Sequence, residues 1–565
     1  MYILGISSYY HDSAAVLIKD GVVISAVEEE RFTRKKHDNS FPKNSINFCL
    51  KSNNLTINNI NYVSYYEKPL LKFERILETF VATYPFSLKP FVKTIPEWIS
   101  SKIKAEHAIR KLGFKKKIFF IPHHYSHASS AFYPSSFEKS VILTVDGVGE
   151  HQTTVLWEAN RAKIIPLKEI NFPHSLGLLY STFTAFLGFR VNDDEYKVMG
   201  MAAYGKPKYA KLIKQIVDVK SDGSFNLKMK YFAYRESFTM WNQTFEKLFG
   251  MPRKTNEAIL TRHKDIAASI QQVTEEIYFL MLNHLYKITK SPNLCIGGGV
   301  GLNSLANGKI YNNTPFKKIH ILGCAGDSGG AFGSALFTYH SILNNKKRHI
   351  VSSLSLGSEF QDFKVESVLK KYNLPYKQYK NENDLLAKTA EILSKNYIIG
   401  WFQGKMEFGP RALGSRSILA NPHNKNMKEK VNKIKVRELF RPFAGSMLQE
   451  QAEQYFEIPK NQNHFPFMNF CFQVKENVRK NIAAIVHEDY SCRIQTVSQD
   501  NGIYYKLIKK FYRITGIPVL LNTSFNLKGE PIVETPQQAI DDFLKTKMDY
   551  LVIGNFIASK ISHRG

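Results

Sequence analysis

Two histidines and two aspartates have the spacing and surroundings of metal ligands. His123 and His127 belong to the motif His-His-Tyr-Ser-His, so on a helix their imidazoles would share one face, one turn apart. Asp146 ends an apolar run typical of a buried strand, and Asp327 lies in a glycine-rich turn between a strand and a helix. Asp327 could supply a ligand oxygen or only cap the helix that follows it. Imidazole and carboxylate donors suit iron, zinc or manganese, whereas the alternative is a helix that merely contains histidines.

A second stretch has the composition of a nucleotide-binding turn. An apolar strand runs into Gly297, Gly298 and Gly299, and a helix is predicted to begin near Asn303. Glycines allow a ligand to approach the backbone, and a helix N-terminus attracts anions. This segment therefore predicts a phosphate-binding site, with an ordinary turn as the alternative.

The elements around these residues indicate a repeated fold. Residues 1–30 read as three strands, and the polar loop after the first strand contains His11 and Asp12. Residues 141–157 repeat this plan, with Asp146 in the corresponding loop. Two such hairpins predict a duplicated nucleotide-binding fold in which the two loops face each other across a cleft.

Length and charge limit the kinds of function. The 565 residues suggest two to four domains, and a polar, basic stretch around 345–353 predicts a boundary between domains 1–348 and 352–565. Lys and Arg exceed Asp and Glu by 28, a balance that favours nucleotides, acyl phosphates, nucleic acid or an anionic membrane. The basic runs are short and isolated, so nucleic acid is not expected as a partner.

Cysteines and hydropathy indicate a location. The five cysteines are scattered and form no Cys-x-x-Cys pair, which predicts free thiols in a reducing cytoplasm. No apolar run approaches the roughly 20 residues that span a bilayer, so no membrane partner is expected.

Beyond residue 352, apolar strands end in arginine, asparagine and hydroxyl residues. The five arginines singled out in these segments are Arg411, Arg416, Arg437, Arg441 and Arg493. Guanidinium groups bind phosphate and carbamate oxygens in bidentate fashion, which makes a small acyl phosphate a plausible ligand. The alternative is that some of these arginines form salt bridges with nearby glutamates.

Taken together, these motifs resemble the carbamoyltransferases of the nodulation-protein and cephamycin type. The matching stretches are Gly-Ile-Ser-Ser-Tyr-Tyr-His-Asp-Ser-Ala-Ala, Glu-Glu-Glu-Arg-Phe-Thr-Arg, His-His-Tyr-Ser-His-Ala, Asp-Asp-Glu-Tyr-Lys-Val-Met-Gly, Met-Glu-Phe-Gly-Pro-Arg-Ala-Leu-Gly and Leu-Asn-Thr-Ser-Phe-Asn. The resemblance covers nearly the whole chain. It implies an α/β protein with an N-terminal duplicated actin-like ATPase domain and a C-terminal YrdC-like α/β domain.

The resemblance also implies an activity. Carbamoyl phosphate and ATP would form carbamoyl adenylate, and the carbamoyl group would pass to a hydroxyl of a small-molecule or sugar acceptor. The implied metal ligands are His123, His127, Asp146 and Asp327, with Fe²⁺ the expected ion and Mg²⁺ able to accompany ATP. The implied nucleotide and substrate residues are Lys197, Gly297, Gly298, Gly299, Asn303, Lys435, Arg493, Asn522 and Ser524.

His11 and Asp12 are the predicted catalytic pair. An imidazole with an ordinary pKa of about 6.5 could accept the proton of the attacking hydroxyl. The alternative is that His11 only holds the loop, the nucleotide or the acceptor. Two further points stay open: a homodimer is one conceivable assembly, and a related enzyme acting on tRNA through carbamoyl adenylate is the alternative function.

Overall fold

The computed structural model describes residues 1–93 and 104–560. Strands β1 to β21 are Tyr2–Ser7, Ala14–Lys19, Val22–Glu28, Tyr62–Tyr65, Ile118–Phe120, Lys139–Val145, Gln152–Asn160, Lys163–Asn171, Val217–Val219, Phe225–Leu227, Asn293–Gly297, Lys318–Ile321, Tyr376–Gln378, Ile399–Phe402, Arg416–Ala420, Ala444–Leu448, Phe470–Gln473, Ser491–Val497, Val519–Ser524, Tyr550–Ile553 and Phe556–Ser559. The α-helices are Glu30–Thr33, Lys43–Lys51, Pro69–Thr83, Lys104–Lys111, His123–Phe132, Leu176–Phe186, Glu195–Ala202, Ala210–Ile216, Gln243–Phe249, Thr261–Thr289, Ser304–Gly308, Ile310–Asn313, Ser328–Phe337, Asp362–Lys371, Glu382–Ser394, Met427–Ile434, Ala452–Tyr455, Ile503–Thr515 and Pro536–Lys545.

The chain divides into two compact units. The first contains Met1–Glu29 and His37–Val351, and the second contains Glu30–Lys36 and Ser352–Gly565. The sequence prediction placed residues 30–36 in the first domain, whereas the structure packs them with the second unit. None of the helices within residues 1–93 and 104–560 combines the length and apolar character that a bilayer crossing requires.

The first unit contains the same sheet twice. One five-stranded sheet has the order β3-β2-β1-β4-β5 and the other the order β8-β7-β6-β11-β12. In each, the central strand pairs antiparallel with the following strand and parallel with a strand reached by a crossover. The predicted duplicated α/β fold is therefore confirmed, and the three strands predicted in residues 1–30 are β1 to β3.

Glycines let two helices of the first unit pack unusually close together. Helix Ser328–Phe337 lies against helix His123–Phe132 and against β1. A Cβ on Gly333 would lie 1.8 Å from the carbonyl oxygen of Ser126, so only glycine permits this approach. The packing brings Asp327, which precedes the first of these helices, towards the histidines on the second.

The second unit is built on one nine-stranded mixed sheet. Its order is β13-β21-β20-β14-β15-β19-β16-β18-β17. Within it, Ala444 on β16 pairs with Arg493 on β18 and with Asn522 on β19. Directly paired residues point to the same face of a sheet, so the side chains of Arg493 and Asn522 flank Ala444 on one face.

The N-terminal segment Glu30–Lys36 is held in the second unit by its arginines. Arg31 is 2% exposed and donates to the carbonyl oxygen of Gly409 at 2.8 Å. Arg34 donates to the carbonyl oxygens of Pro531 and Ile532 at 2.8 and 2.7 Å. Buried guanidinium groups need such acceptors, which explains why this short segment leaves its sequence neighbours.

Candidate functional site

The four predicted metal ligands lie together in the first unit. Their ligand atoms are all within 4.8 Å of one another. The Nε2 atoms of His123 and His127 are 3.0 Å apart, and they lie 3.0 and 2.9 Å from Oδ2 of Asp146. Oδ1 of Asp327 lies 3.3 Å from His127 Nε2 and 3.8 Å from His123 Nε2.

These distances fit a single bound cation. Two donor atoms about 2.1 Å from one ion and at a right angle to each other would be about 3.0 Å apart, which is the separation of the two imidazole nitrogens. If both Nε2 atoms carried a proton for Asp146, two N–H groups would lie within 3.0 Å of each other with no acceptor between them, so a shared cation explains the arrangement better than hydrogen bonds do. Two nitrogen and two oxygen donors suit iron, zinc or manganese.

The electrostatics of the cluster also favour positive charge. Burial alone would lower the pKa of His127, but hydrogen bonds and charge from Asp146 and Asp327 raise it to about 10. The two histidines in turn hold the pKa of Asp146 well below its usual range, although burial opposes this shift. His124 on the same helix behaves differently: burial and the neighbouring histidines hold its pKa well below the ordinary value, so it stays neutral.

His11 and Asp12 border this cluster. Nδ1 of His11 is 2.9 Å from Oδ2 of Asp12, and its Nε2 is 3.5 Å from Oδ2 of Asp327. Burial lowers the pKa of His11, whereas Asp327 and Asp12 raise it, with a net rise to about 9. A divalent ion bound by Asp327 would neutralise the first of these carboxylates and oppose the rise.

The polar chain continues through two residues that were not among the predicted site residues. Oδ1 of Asp12 is 2.6 Å from Nδ1 of His37, and Nε2 of His37 is 3.0 Å from Oδ1 of Asp193. Burial raises the pKa of Asp12, but His11 and then His37 hold it below the ordinary value, and the contacts with His37 also fix the orientation of this carboxylate. His37 lies in a basic run, and no spacing in the sequence links it to His11.

The glycine turn lies against the metal-ligand cluster. A Cβ on Gly297 would lie 2.8 Å from the carbonyl oxygen of His127, and one on Gly298, whose φ is +88°, would lie 2.3 Å from that of Val145. The N–H of Gly299 is 3.3 Å from Oδ1 of Asp146. The glycines therefore allow the strand β11 to approach the helix and strand that carry three of the ligands.

Asn303 and Lys197 already have partners within the protein. Oδ1 of Asn303 accepts from the N–H of Ala306 at 3.1 Å, which caps helix Ser304–Gly308, and the same amide bonds Gln271. Nζ of Lys197 forms an ion pair with Asp194 at 2.8 Å. For both residues the contacts present are structural, and their predicted role with a nucleotide stays a prediction.

A second group of predicted residues lies in the second unit. The buried Nε of Arg493 has no hydrogen-bond partner, and no described residue forms an ion pair with this guanidinium. Burial, followed by the charge of Arg441, lowers the pKa of Arg493. Oδ1 of Asn522 is also buried and has no partner among the described residues, while its Nδ2 donates to the carbonyl oxygen of Ala412 and to Oγ of Ser446. A buried donor and a buried acceptor therefore lie on one face, about 10 Å apart at the backbone.

Lys435 and Ser524 form the edge of this group. Nζ of Lys435 donates to the carbonyl oxygen of Ser524, and to the carbonyl oxygen and Oδ1 of Asn526 at 3.1 and 2.8 Å. Ser524 Oγ in turn donates to Asn526 Oδ1 at 2.7 Å. Burial and the nearby Arg437 and Arg441 lower the pKa of Lys435 well below its ordinary value. Lys435 thus fixes the loop that follows β19.

Arg416 does not fit the phosphate-binding interpretation that its motif suggested. It is fully buried, and its guanidinium donates to the carbonyl oxygens of Gln403, Gly404, Ser415 and Ser358. The guanidinium carbon also lies 3.6 Å from the centre of the Phe402 ring. These contacts use the donors that a phosphate would need, so Arg416 is a structural residue.

Comparisons with known proteins give a consistent result. A family model described as the carbamoyltransferase N-terminus matches residues 2–336, and one described as the carbamoyltransferase C-terminus matches residues 390–560. An uncharacterized protein of Synechocystis is 46% identical, over 99% of this chain and 97% of its own. The nodulation protein NolNO of Sinorhizobium fredii is 36% identical, over 98% of this chain and 80% of its own.

Among solved structures, component A of the (R)-2-hydroxyglutaryl-CoA dehydratase of Acidaminococcus fermentans is similar to part of the chain. Its sequence is 14% identical, the TM-score is 0.34, and the match covers 61% of this chain and 100% of that one.

Proposed function

Because the chain belongs to the carbamoyltransferase family, we propose that it uses ATP and carbamoyl phosphate to carbamoylate a hydroxyl of a small-molecule or sugar acceptor. Water would first attack the carbonyl carbon of carbamoyl phosphate, and phosphate would leave with the electron pair of the broken C–O bond, which gives carbamate. A carbamate oxygen would then attack the α-phosphorus of ATP, and pyrophosphate would leave, which gives carbamoyl adenylate. The acceptor hydroxyl would attack the carbamoyl carbon, and AMP would leave with the electron pair of the broken C–O bond.

The observation that supports this proposal best is the pair of unsatisfied groups in the second unit. Within residues 1–93 and 104–560, neither the buried Nε of Arg493 nor the amide oxygen of Asn522 has a hydrogen-bond partner. Carbamoyl phosphate has a phosphate that accepts hydrogen bonds and an NH₂ group that donates them. The two side chains are thus complementary to the two ends of this substrate, which a simple phosphate ester would not match.

In the transfer step we assign the proton of the acceptor hydroxyl to His11. Its ring lies between Asp12 at 2.9 Å and Asp327 at 3.5 Å, beside the metal-ligand cluster. The chain from Asp12 through His37 to Asp193 would keep the ring oriented. A divalent ion held by His123, His127, Asp146 and Asp327 would supply charge neutralisation for the phosphate groups of the nucleotide.

The experiment that tests the proposal separates the two steps. Arg493→Ala should raise the KM for carbamoyl phosphate in pyrophosphate release by about 10–100-fold, because a charged hydrogen bond is lost. The same variant should still transfer the carbamoyl group when carbamoyl adenylate is supplied directly.

Arg513→Ala is the control, since it removes an exposed arginine from the same unit. Equal loss in both assays for Arg493→Ala would mean that this arginine supports the fold. Absence of carbamoyl-phosphate-dependent pyrophosphate release from the parent protein would contradict the proposed function itself.

A further inference from the structure

Helix Pro69–Thr83 in the first unit turns Lys72 and the Nε of Arg75 inward, whereas Glu74 and Glu78 are exposed. Lys72 is 3% exposed, whereas Leu70 and Val81 are 71% and 73% exposed. A surface helix usually buries its apolar face and exposes its charges, so the inward position of these two cations is unusual. The inward cations therefore need partners inside the unit.

Lys72 has such a partner and connects the helix to the candidate site. Its Nζ is 2.6 Å from Oε2 of the buried Glu67 and 4.8 Å from the centre of the Tyr10 ring. The ring of Tyr10 in turn lies 4.7 Å from the ring of His11. Lys72, Tyr10 and His11 therefore form a continuous wall that leads from the helix to the metal-ligand cluster.

Arg75 follows Lys72 on the same helix face and has no such partner. Its Nε is buried without a hydrogen bond, and no described residue forms an ion pair with its guanidinium. Its contact is with the face of the Phe172 ring, at 4.9 Å. Burial lowers the pKa of Arg75, and Tyr10, Glu67 and Glu150 oppose this shift.

The two nearby carboxylates are already engaged. Glu67 pairs with Lys72, and Glu150 accepts from the backbone N–H groups of Lys68 and His123 at 2.7 and 3.0 Å. A guanidinium has five donors and stays charged, so leaving it half-buried without an acceptor is unfavourable. Such a group is suited to a planar or tetrahedral anion supplied by a ligand.

We propose that Arg75 binds an anionic group of the acceptor, such as a carboxylate, sulfate or phosphate ester. This inference rests on the proposed function, in which His11 faces the acceptor hydroxyl. The wall of Tyr10 and Lys72 joins Arg75 to His11, so a molecule that presents its hydroxyl to His11 can extend along the wall to Arg75. The nucleotide is expected at Gly297–Gly299, whose nearest neighbours are His127, Val145 and Asp146 rather than Arg75. The acceptor is therefore an acid rather than a neutral sugar.

Inorganic sulfate is the probe, measured by titration calorimetry. The full-length protein should have a sulfate site that Arg75→Gln weakens by about 10–100-fold, because charge-assisted hydrogen bonds are lost. Arg161→Gln is the control, since Arg161 is an exposed arginine of the same unit, and it should leave the titration unchanged. Equal sulfate binding by the parent and Arg75→Gln would overturn the proposal.

Two further measurements identify what the site serves. The Arg75-dependent sulfate site should persist when the protein is saturated with a non-hydrolysable ATP analogue, and its disappearance would assign the site to the nucleotide and refute the acceptor. Arg75→Gln should unfold at no lower a temperature than the parent without sulfate, whereas a fall of several degrees would mean that Arg75 is structural. Sulfate binding needs no turnover, so it can succeed even where carbamoyl-phosphate-dependent pyrophosphate release fails.

Discussion

Replacing His127 tests the metal assignment most directly. We expect His127→Asn to lose the divalent ion while the fold is kept, because asparagine is smaller and polar and the site is otherwise unchanged. His127 is fully buried. Its Nε2 lies 3.0 Å from Nε2 of His123, 2.9 Å from Oδ2 of Asp146 and 3.3 Å from Oδ1 of Asp327. It is therefore the central donor of the four.

The size of the effect follows from the number of donors. Structural four-ligand sites hold zinc with roughly 10–16 kcal/mol, so one ligand in four corresponds to about 3 kcal/mol, or roughly a 100-fold loss of affinity. With free metal at about 100 times the parent dissociation constant, binding would stabilise the parent by about 2.7 kcal/mol and the variant by only about 0.4 kcal/mol. The difference is large enough to appear in a thermal unfolding curve.

His124→Asn is the matched control. His124 lies on the same helix and is 1% exposed, but its ring nitrogens contact Thr144 and the carbonyl oxygen of Gln152 rather than the cluster. Metal content by mass spectrometry and the unfolding temperature with and without added Fe²⁺ should be measured for both variants. Full metal occupancy in His127→Asn, or equal loss in both variants, would refute the assignment.

Three further predictions concern other parts of the molecule. His11→Asn should slow carbamoyl transfer by roughly 10²–10⁴-fold while leaving acceptor-free pyrophosphate release nearly intact; collapse of that release would exclude the role of proton acceptor. Burial and the charge of Glu530 raise the pKa of Asp542 to about 7, so between its ordinary pKa and pH 7 the folded state holds a proton that the unfolded state releases, and stability falls as pH rises. The free energy of unfolding of Asp542→Asn should therefore exceed that of the parent by about 2–4 kcal/mol at pH 8. This difference should shrink towards pH 4, and a difference that does not depend on pH would contradict the reasoning. Gly333→Ala would place a Cβ 1.8 Å from the carbonyl oxygen of Ser126, so it should cost at least about 1–3 kcal/mol of unfolding free energy and weaken metal binding; unchanged metal affinity would show that the helix contact does not position the ligands.

Short-range pattern was sufficient for several strands of the first unit and for half of the cluster. Apolar runs bounded by a polar loop and a tight turn marked β1 to β3, and the spacing of His123 and His127 placed both rings on one helix face. These features depend only on neighbouring residues, because strand and helix periodicity is a local property of the backbone. The duplicated plan could be recognised for the same reason.

The roles of the arginines could not be read from the sequence. Arg416 and Arg493 both follow the pattern of an arginine near a strand end, yet the first is surrounded by backbone carbonyls and the second has no partner among the described residues. Arg75 is a further arginine without an ion-pair partner among the described residues, and nothing in its helical sequence distinguishes it from a surface residue. Whether a guanidinium is satisfied depends on which distant carbonyls and carboxylates surround it.

Only the tertiary structure brought the distant parts of the site together. Asp146 and Asp327 meet the histidines because two parallel strand pairs and a glycine-permitted helix contact converge there. Segment Glu30–Lys36 joined the second unit because Arg31 and Arg34 found buried carbonyl acceptors in it. The sequence by itself determined which chemical groups were present and how each was presented locally; the pairing of strands far apart in the chain decided which of them meet.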